Sequence, residues 1–200
     1  ESGENYLLEL FQQEGIRERK FSTAEFTRLL GEKLERRCIL QVAAQCKVPI
    51  FIPAISDSEL GIAVAVFRNR NGLAVSFDEV RDIEEFAKII RSKPRCGCVV
   101  VGGGVPRNWA QQVAPYLDLL HTRLNLDIPE VRFHYGVRLC PEPAHWGGLS
   151  GCTFKEGVSW GKFVSLEDGG RYAEVLCDAT IAWPLLLKGV SQRLDKAPAV

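Results

Sequence analysis

Cys98-Val99-Val100-Val101-Gly102-Gly103-Gly104-Val105-Pro106 is the stretch on which the fold turns. Residues 98–101 are apolar on both faces, which suits a central strand of a parallel sheet. Three glycines end the run, and Pro106 fits the first turn of a helix expected to extend to about Leu124. Working outward, Val131–Leu139 reads as a second strand and Thr153–Trp160 as a short helix. Tyr172–Cys177 reads as a third strand, and Ile181–Leu194 as a final helix. Upstream, Val80, Ile83, Phe86, Ile89 and Ile90 recur at helical spacing between Phe77 and Ser92. Alternating strands and helices imply an α/β fold: a parallel sheet with helices on both faces.

The front of the chain is more helical. Ser22-Thr23-Ala24-Glu25 is a capping-box signature opening a helix to about Arg37, with Phe26, Leu29, Leu30 and Leu34 on one face. A second helix is expected over Cys38–Cys46 and a short buried strand over Ile50–Ala54, with a new turn or helix at Ser56–Glu59. Glu4–Gln13 has the pattern of an amphipathic helix closed by Gly15. With no internal repeat and no linker, the chain reads as one domain or part of one.

Composition narrows the class. Apolar residues make up 46% of the 200 and charged residues 25%, enough apolar surface to exclude a disordered chain. Lys+Arg and Asp+Glu are both 25, which argues against a partner held by phosphate neutralisation, so no nucleic acid is expected. No apolar run nears the ~20 residues of a membrane span, and the first residues lack a signal pattern. Seven cysteines, an odd number and mostly in apolar segments, read as reduced thiols, hence a cytoplasmic protein. Cys96-Gly97-Cys98 has no second pair or nearby His, so no metal site is expected. With no methionine in the sequence, an upstream segment removed by processing or by a boundary is expected.

Chemistry is expected at the carboxyl ends of the strands. Gly102, Gly103 and Gly104 leave backbone N–H groups beside a helix start, suited to a phosphate; a plain tight turn explains them equally well. Gly147, Gly148 and Gly151 expose backbone in a second loop. Glu156 and Trp160 are four apart on one helix face, a receptacle for an organic cation. Lys162 follows that helix. Desolvated against Trp160 it would have the depressed pKa an imine-forming amine requires, although spacing alone favours a surface lysine packed on a tryptophan. Asp178 ends the last strand and could simply cap the final helix, and Asp57 carries the same ambiguity. His121, His134 and His145 share no metal spacing.

Taken together, these segments resemble the deoxyhypusine synthase family. The matching stretches are Pro49–Asp57, Gly102–Val105, Gly147–Gly151 with Glu156, Val158–Lys162 (VSWGK) and the Asp178-Ala179 pair, in the family's order. The resemblance implies a Rossmann-like sheet, NAD as cofactor, spermidine as substrate and a lysine of translation initiation factor 5A as acceptor. It makes Lys162 the catalytic nucleophile. Glu156, Trp160, Gly147, Gly148 and Asn108 fall at substrate-contacting positions. Asp57, Gly102, Gly103, Gly104, Asp178 and Ala179 fall at cofactor-contacting ones.

The sequence also departs from the family pattern. Its polyamine-binding His and Asn appear as Asn108 and Gln112, and two channel carboxylates as Ile62 and Leu149. A cofactor-contacting Thr-Ala-Gln reads Pro141-Glu142-Pro143. The GGLSG form points to a bacterial deoxyhypusine-synthase-like branch that includes homospermidine synthases using putrescine as acceptor. A non-catalytic regulatory subunit is the other alternative. The family's first third, with its NAD loop, has no counterpart here, so the resemblance implies a separate N-terminal chain as partner, within a tetrameric assembly.

Overall fold

The computed structural model describes Leu7, Leu10, Phe11, Ile16, residues 18–72 and residues 74–196, with residue 71 described by its backbone alone. Most of the helix expected over Glu4–Gln13 lies outside these residues; Leu7, Leu10 and Phe11 are helical and buried. The chain divides into two compact units, Glu1–Phe86 and Ala87–Val200.

The first unit is built on aromatic packing. Its elements are β1 (Lys20–Phe21), α1 (Thr23–Lys33), α2 (Ile39–Gln45), a 3-10 turn (Ile55–Asp57), α3 (Glu59–Asn71) and β2 (Ser76–Phe77). The first turns of α4 (Glu79–Arg91) complete it. β1 pairs with β2 in parallel. Phe11, Phe21, Phe26 and Phe67 are buried together, with ring centroids about 6 Å apart. Ser22 caps α1 by accepting from the Glu25 N–H at 3.1 Å. Glu25 does not reach back to complete the capping box; its carboxylate pairs with Arg19 and Arg81. Asp82 of α4 takes the second capping role, accepting from the Thr23 and Ala24 N–H groups and the Thr23 hydroxyl.

Ile50–Ala54 is not the expected strand. Pro49 and Pro53 have no N–H to give a ladder, and Ala54 turns into the left-handed region at φ 55°. Two backbone groups of the segment are met by α1 threonines. Thr27 Oγ1 donates to the Ile50 carbonyl and the Ile52 N–H donates to Thr23 Oγ1, both at 2.8 Å. The turn expected at Ser56–Glu59 is the start of α3, capped by Ser58.

The second unit carries a parallel three-stranded sheet: β3 (Cys96–Val101), β4 (Phe133–Leu139) and β5 (Arg171–Val175), in the order β3-β4-β5. Helices α5 (Val105–Gln111) and α6 (Val113–Leu124) connect the first two strands. α7 (Phe154–Ser159) connects the second and third, and α8 (Ala179–Leu194) follows. Among the described strands β4, not β3, is central. Val99 and Val101 are accordingly exposed although the run is apolar on both faces. The single helix expected from Pro106 to Leu124 is broken at Gln112. Pro115, in the first turn of α6, has no N–H to continue a ladder from Gln111.

One glycine fixes how α7 meets the sheet. A Cβ on Gly136 of β4 would lie 2.3 Å from Cε1 of Phe154, so the ring rests directly on the strand backbone. Phe154 then stacks on Tyr172 at 4.8 Å and meets Phe163 edge-on at 5.0 Å.

Candidate active site

The Gly102–Gly104 turn leaves β3 on two left-handed glycines, Gly102 at φ 88° and Gly104 at φ 76°. Gly102 donates its N–H to the Leu139 carbonyl at 2.8 Å, which ties the turn to the carboxyl end of β4. Gly103 is pressed against the second glycine loop: a Cβ there would sit 2.7 Å from Cα of Ser150. Gly147 and Gly148 are exposed, at φ 76° and 75°, with open space where a Cβ would stand. The two glycine segments therefore meet at the carboxyl edge of the sheet.

Two buried arginines lock that meeting. Arg138 of β4 is 2% exposed and donates to the Ser150 carbonyl at 2.6 Å while pairing with Glu174 of β5 at 3.1 Å. Arg107, in the first turn of α5 and 5% exposed, donates to the Leu149 and Ser150 carbonyls, both at 3.3 Å. Its guanidinium lies over the Phe154 ring, 5.9 Å from the centroid.

Lys162 is anchored differently from the glycine loops. Its carbonyl accepts from the Phe133 N–H at 3.0 Å, so its backbone sits at the amino end of β4 rather than at the carboxyl edge. The side chain is the buried part. Lys162 is 7% exposed, and Nζ donates to Oδ1 of Asn108 on α5 at 2.9 Å. Burial pushes the Lys162 ammonium down from the ordinary lysine value. The Arg107 charge pushes the same way, whereas Cys152 and Glu156 pull it up. The direction of the shift is towards the neutral amine that an imine-forming lysine needs.

Trp160, expected to desolvate this lysine, is itself 67% exposed. Glu156 is exposed in the first turn of α7, whose N-cap Thr153 accepts from its N–H at 3.2 Å; its charge acts on both Lys162 and Cys152. Asn108, placed among substrate contacts by resemblance, accepts the hydrogen bond of the lysine amine. Asp178 has the cap role that the sequence left open: it accepts from the Thr180 N–H at 2.8 Å, and the Thr180 hydrogen bonds hold its carboxyl below the usual range. Ala179 opens α8 beside it. Asp57 and Ile62 belong to the first unit, both exposed.

Lys162, Asn108, Glu156 and the two glycine loops are gathered within the second unit alone. Sequence reading missed both arginines. Arg138 gave a signal, a charge inside the otherwise apolar strand FHYGVRL; so did Arg107, a cation where the helix dipole disfavours one. All seven cysteines are free, and among the described residues no three His, Cys, Asp or Glu side chains are placed to hold a metal. No described helix is long and apolar enough to cross a membrane.

The site defines a class: an α/β protein with a buried, amide-held lysine beside a double glycine loop. Comparison with known proteins makes the class specific. The family model for deoxyhypusine synthase matches residues 1–190, and the chain belongs to that family. It is 38% identical over 185 residues to the Methanosarcina mazei protein named probable deoxyhypusine synthase 2, covering 90% of this chain and 51% of that one. To the Archaeoglobus fulgidus protein of the same name it is 39% identical over 182 residues, covering 88% and 56%. An Entamoeba histolytica crystal structure, described as a candidate deoxyhypusine synthase, shares the fold. Its TM-score is 0.60 at 15% identity, over 93% of this chain and 52% of that one. The chain spans about half the length of the curated relatives it matches. Both of those are archaeal, whereas the GGLSG form pointed to a bacterial branch.

Proposed function

We propose that this chain supplies the nucleophile of an NAD-dependent aminobutyl transferase acting on spermidine, with a lysine of translation initiation factor 5A as acceptor. The observation that carries the reading is Lys162. Within the VSWGK segment that resembles the family's active site, its amine is buried, held by Asn108 and biased towards the neutral form.

NAD fits the residues present in one respect. The Gly102–Gly104 turn is open at Gly102, and Gly104 brings no side chain to cap the first N–H groups of α5. Gly102, Gly103 and Gly104 would hold the cofactor, together with Ala179 and the backbone beside Asp178. Bound there, NAD would supply the two-electron oxidation of the carbon–nitrogen bond and its later return. The residues of this chain account for the redox-neutral middle. The neutral Lys162 amine adds to the oxidised carbon, the bond to 1,3-diaminopropane breaks, and the butylamine is left on Lys162 as an imine. An acceptor amine then adds to the same carbon and frees Lys162. Asn108 fixes Nζ by accepting a hydrogen bond from it, leaving the lone pair of the neutral amine free to point at the substrate carbon. Glu156 offers a carboxylate to an ammonium end, and Trp160 an apolar face to the polyamine.

The same reading includes partners. α8 has no buried residue among its 16, and Ile181, Leu185, Leu187, Val190 and Leu194 stand exposed on it. That apolar surface supports assembly with a further protein surface, in a tetramer and in the cytoplasm by resemblance. A second reading, homospermidine synthesis, is favoured by Ile62 and Leu149 in place of two channel carboxylates. The test is to give the assembly isotope-labelled spermidine, NAD, and both putrescine and the factor 5A precursor. Label on the protein is the expected result. Label on putrescine alone rules protein modification out, and label on neither, with NAD bound, points to a supporting subunit.

A further inference from the structure

Arg107 combines features that a structural arginine does not need. Its guanidinium is buried, yet Nε and Nη2 have no hydrogen-bond partner, and among the described residues no carboxylate forms an ion pair with it. Arg138 of β4, which donates to the same Ser150 carbonyl, is by contrast neutralised by Glu174. An uncompensated buried charge is costly, so its placement calls for a role. Two contacts show what it touches. Nη1 grips the Leu149 and Ser150 carbonyls, and the plane of the group lies over Phe154, the ring that seats α7 on the sheet. It also sits next in sequence to Asn108, the acceptor that holds the Lys162 amine.

We propose that Arg107 is a positioning residue. It clamps the Gly147–Gly151 loop against Gly103 and, buried beside Asn108 without a counter-charge, places a positive charge next to the site of the Lys162 amine. This inference deepens the function proposed above and rests on it for the use made of Lys162. The groups facing Lys162 are Asn108 and Arg107 from α5, Glu156 from α7 and Cys152 from the loop before it. Glu156 and Cys152 pull towards the ammonium, and Arg107 is the one cation among the four that opposes them. Because Nη1 reaches both carbonyls, one side chain orders the loop and keeps its charge buried beside Asn108.

The test reads the amine directly. The protein, with the chains that co-purify, is labelled with trace acetic anhydride across a pH series, and the extent at Lys162 is followed by peptide mass. In Arg107→Met the labelling midpoint is expected to rise by about one pH unit, so that roughly tenfold less neutral amine is present below it. Arg107→Lys keeps the charge and should keep the midpoint. It loses the two-carbonyl grip, so limited proteolysis within residues 144–151 should quicken several-fold. An unchanged midpoint in folded Arg107→Met overturns the electrostatic role, as does a midpoint in Arg107→Lys raised like that expected of the Met variant. The Lys comparison decides alone if the Met variant does not fold. Proteolysis as slow in Arg107→Lys as in the wild type overturns the clamp. Because acetylation needs no spermidine, a midpoint shift without label transfer would sink the proposed function and leave this inference standing.

Discussion

The interiors of the two units treat buried polar groups in opposite ways. In the first unit the buried carboxylate, Asp82, is 1% exposed and fully used: three donors from the start of α1 converge on it. It finishes a helix cap amid packed phenylalanines, and its role is structural. In the second unit Arg107, Gln111 and Arg138 each bury a nitrogen with no partner, and Lys162 is held by a neutral amide. Satisfied polar groups stabilise a fold, whereas unsatisfied ones raise its free energy and mark places where something besides stability is served. The contrast sets the second unit apart by its hydrogen bonding alone.

Four expected outcomes would break or sharpen that contrast. The largest concerns Lys162→Ala, which should lower label transfer from spermidine by about a thousandfold or more while leaving thermal stability nearly unchanged. A large loss of stability instead would make Lys162 a structural group like Asp82. Next is Asp82→Ala, which strands the Thr23 and Ala24 N–H groups and should cost about 3 kcal/mol in urea unfolding of the first unit. The Lys162 labelling midpoint should not move. Third, Gly136→Ala drives a methyl into Phe154 and should destabilise the second unit by about 2 kcal/mol, read as an earlier urea transition. The smallest is a pH effect. Lys162 titrates below its ordinary 10.5 when folded, so between its folded and unfolded values the unfolded chain binds more protons. Stability should therefore rise with pH across that window, and the rise should vanish in Lys162→Met.

Much of this was legible in the sequence, for reasons that can be traced. Strand, glycine turn and helix at 98–106 announce themselves because only glycine tolerates the turn and only a proline-compatible helix start follows it. The caps at Ser22 and Asp178 were visible because hydroxyls and carboxylates at helix starts have one main use. The mistaken elements have a common cause. Ile50–Ala54 is apolar enough for a strand, but its hydrogen bonds go to Thr23 and Thr27, more than twenty residues away. Val99 and Val101 promised burial on both faces, whereas strand order put β3 at an edge. The site was half legible. Lys162 and the glycines were found through motif and composition. Asn108 was placed among the substrate contacts by resemblance, but its bond to the amine and the clamp, Arg107, were not found, because long-range contacts leave little trace in local spacing. Trp160 was expected to shield Lys162 from water; it stands 67% exposed while the lysine is buried.

The account stands or falls on Lys162 carrying the butylamine. The assembly would be incubated with NAD and spermidine, reduced with borohydride, and its peptides mapped by mass. The account predicts a butylamine adduct on Lys162, absent when spermidine is omitted. Bound NAD with no adduct on Lys162 would contradict it and place the chemistry on another chain.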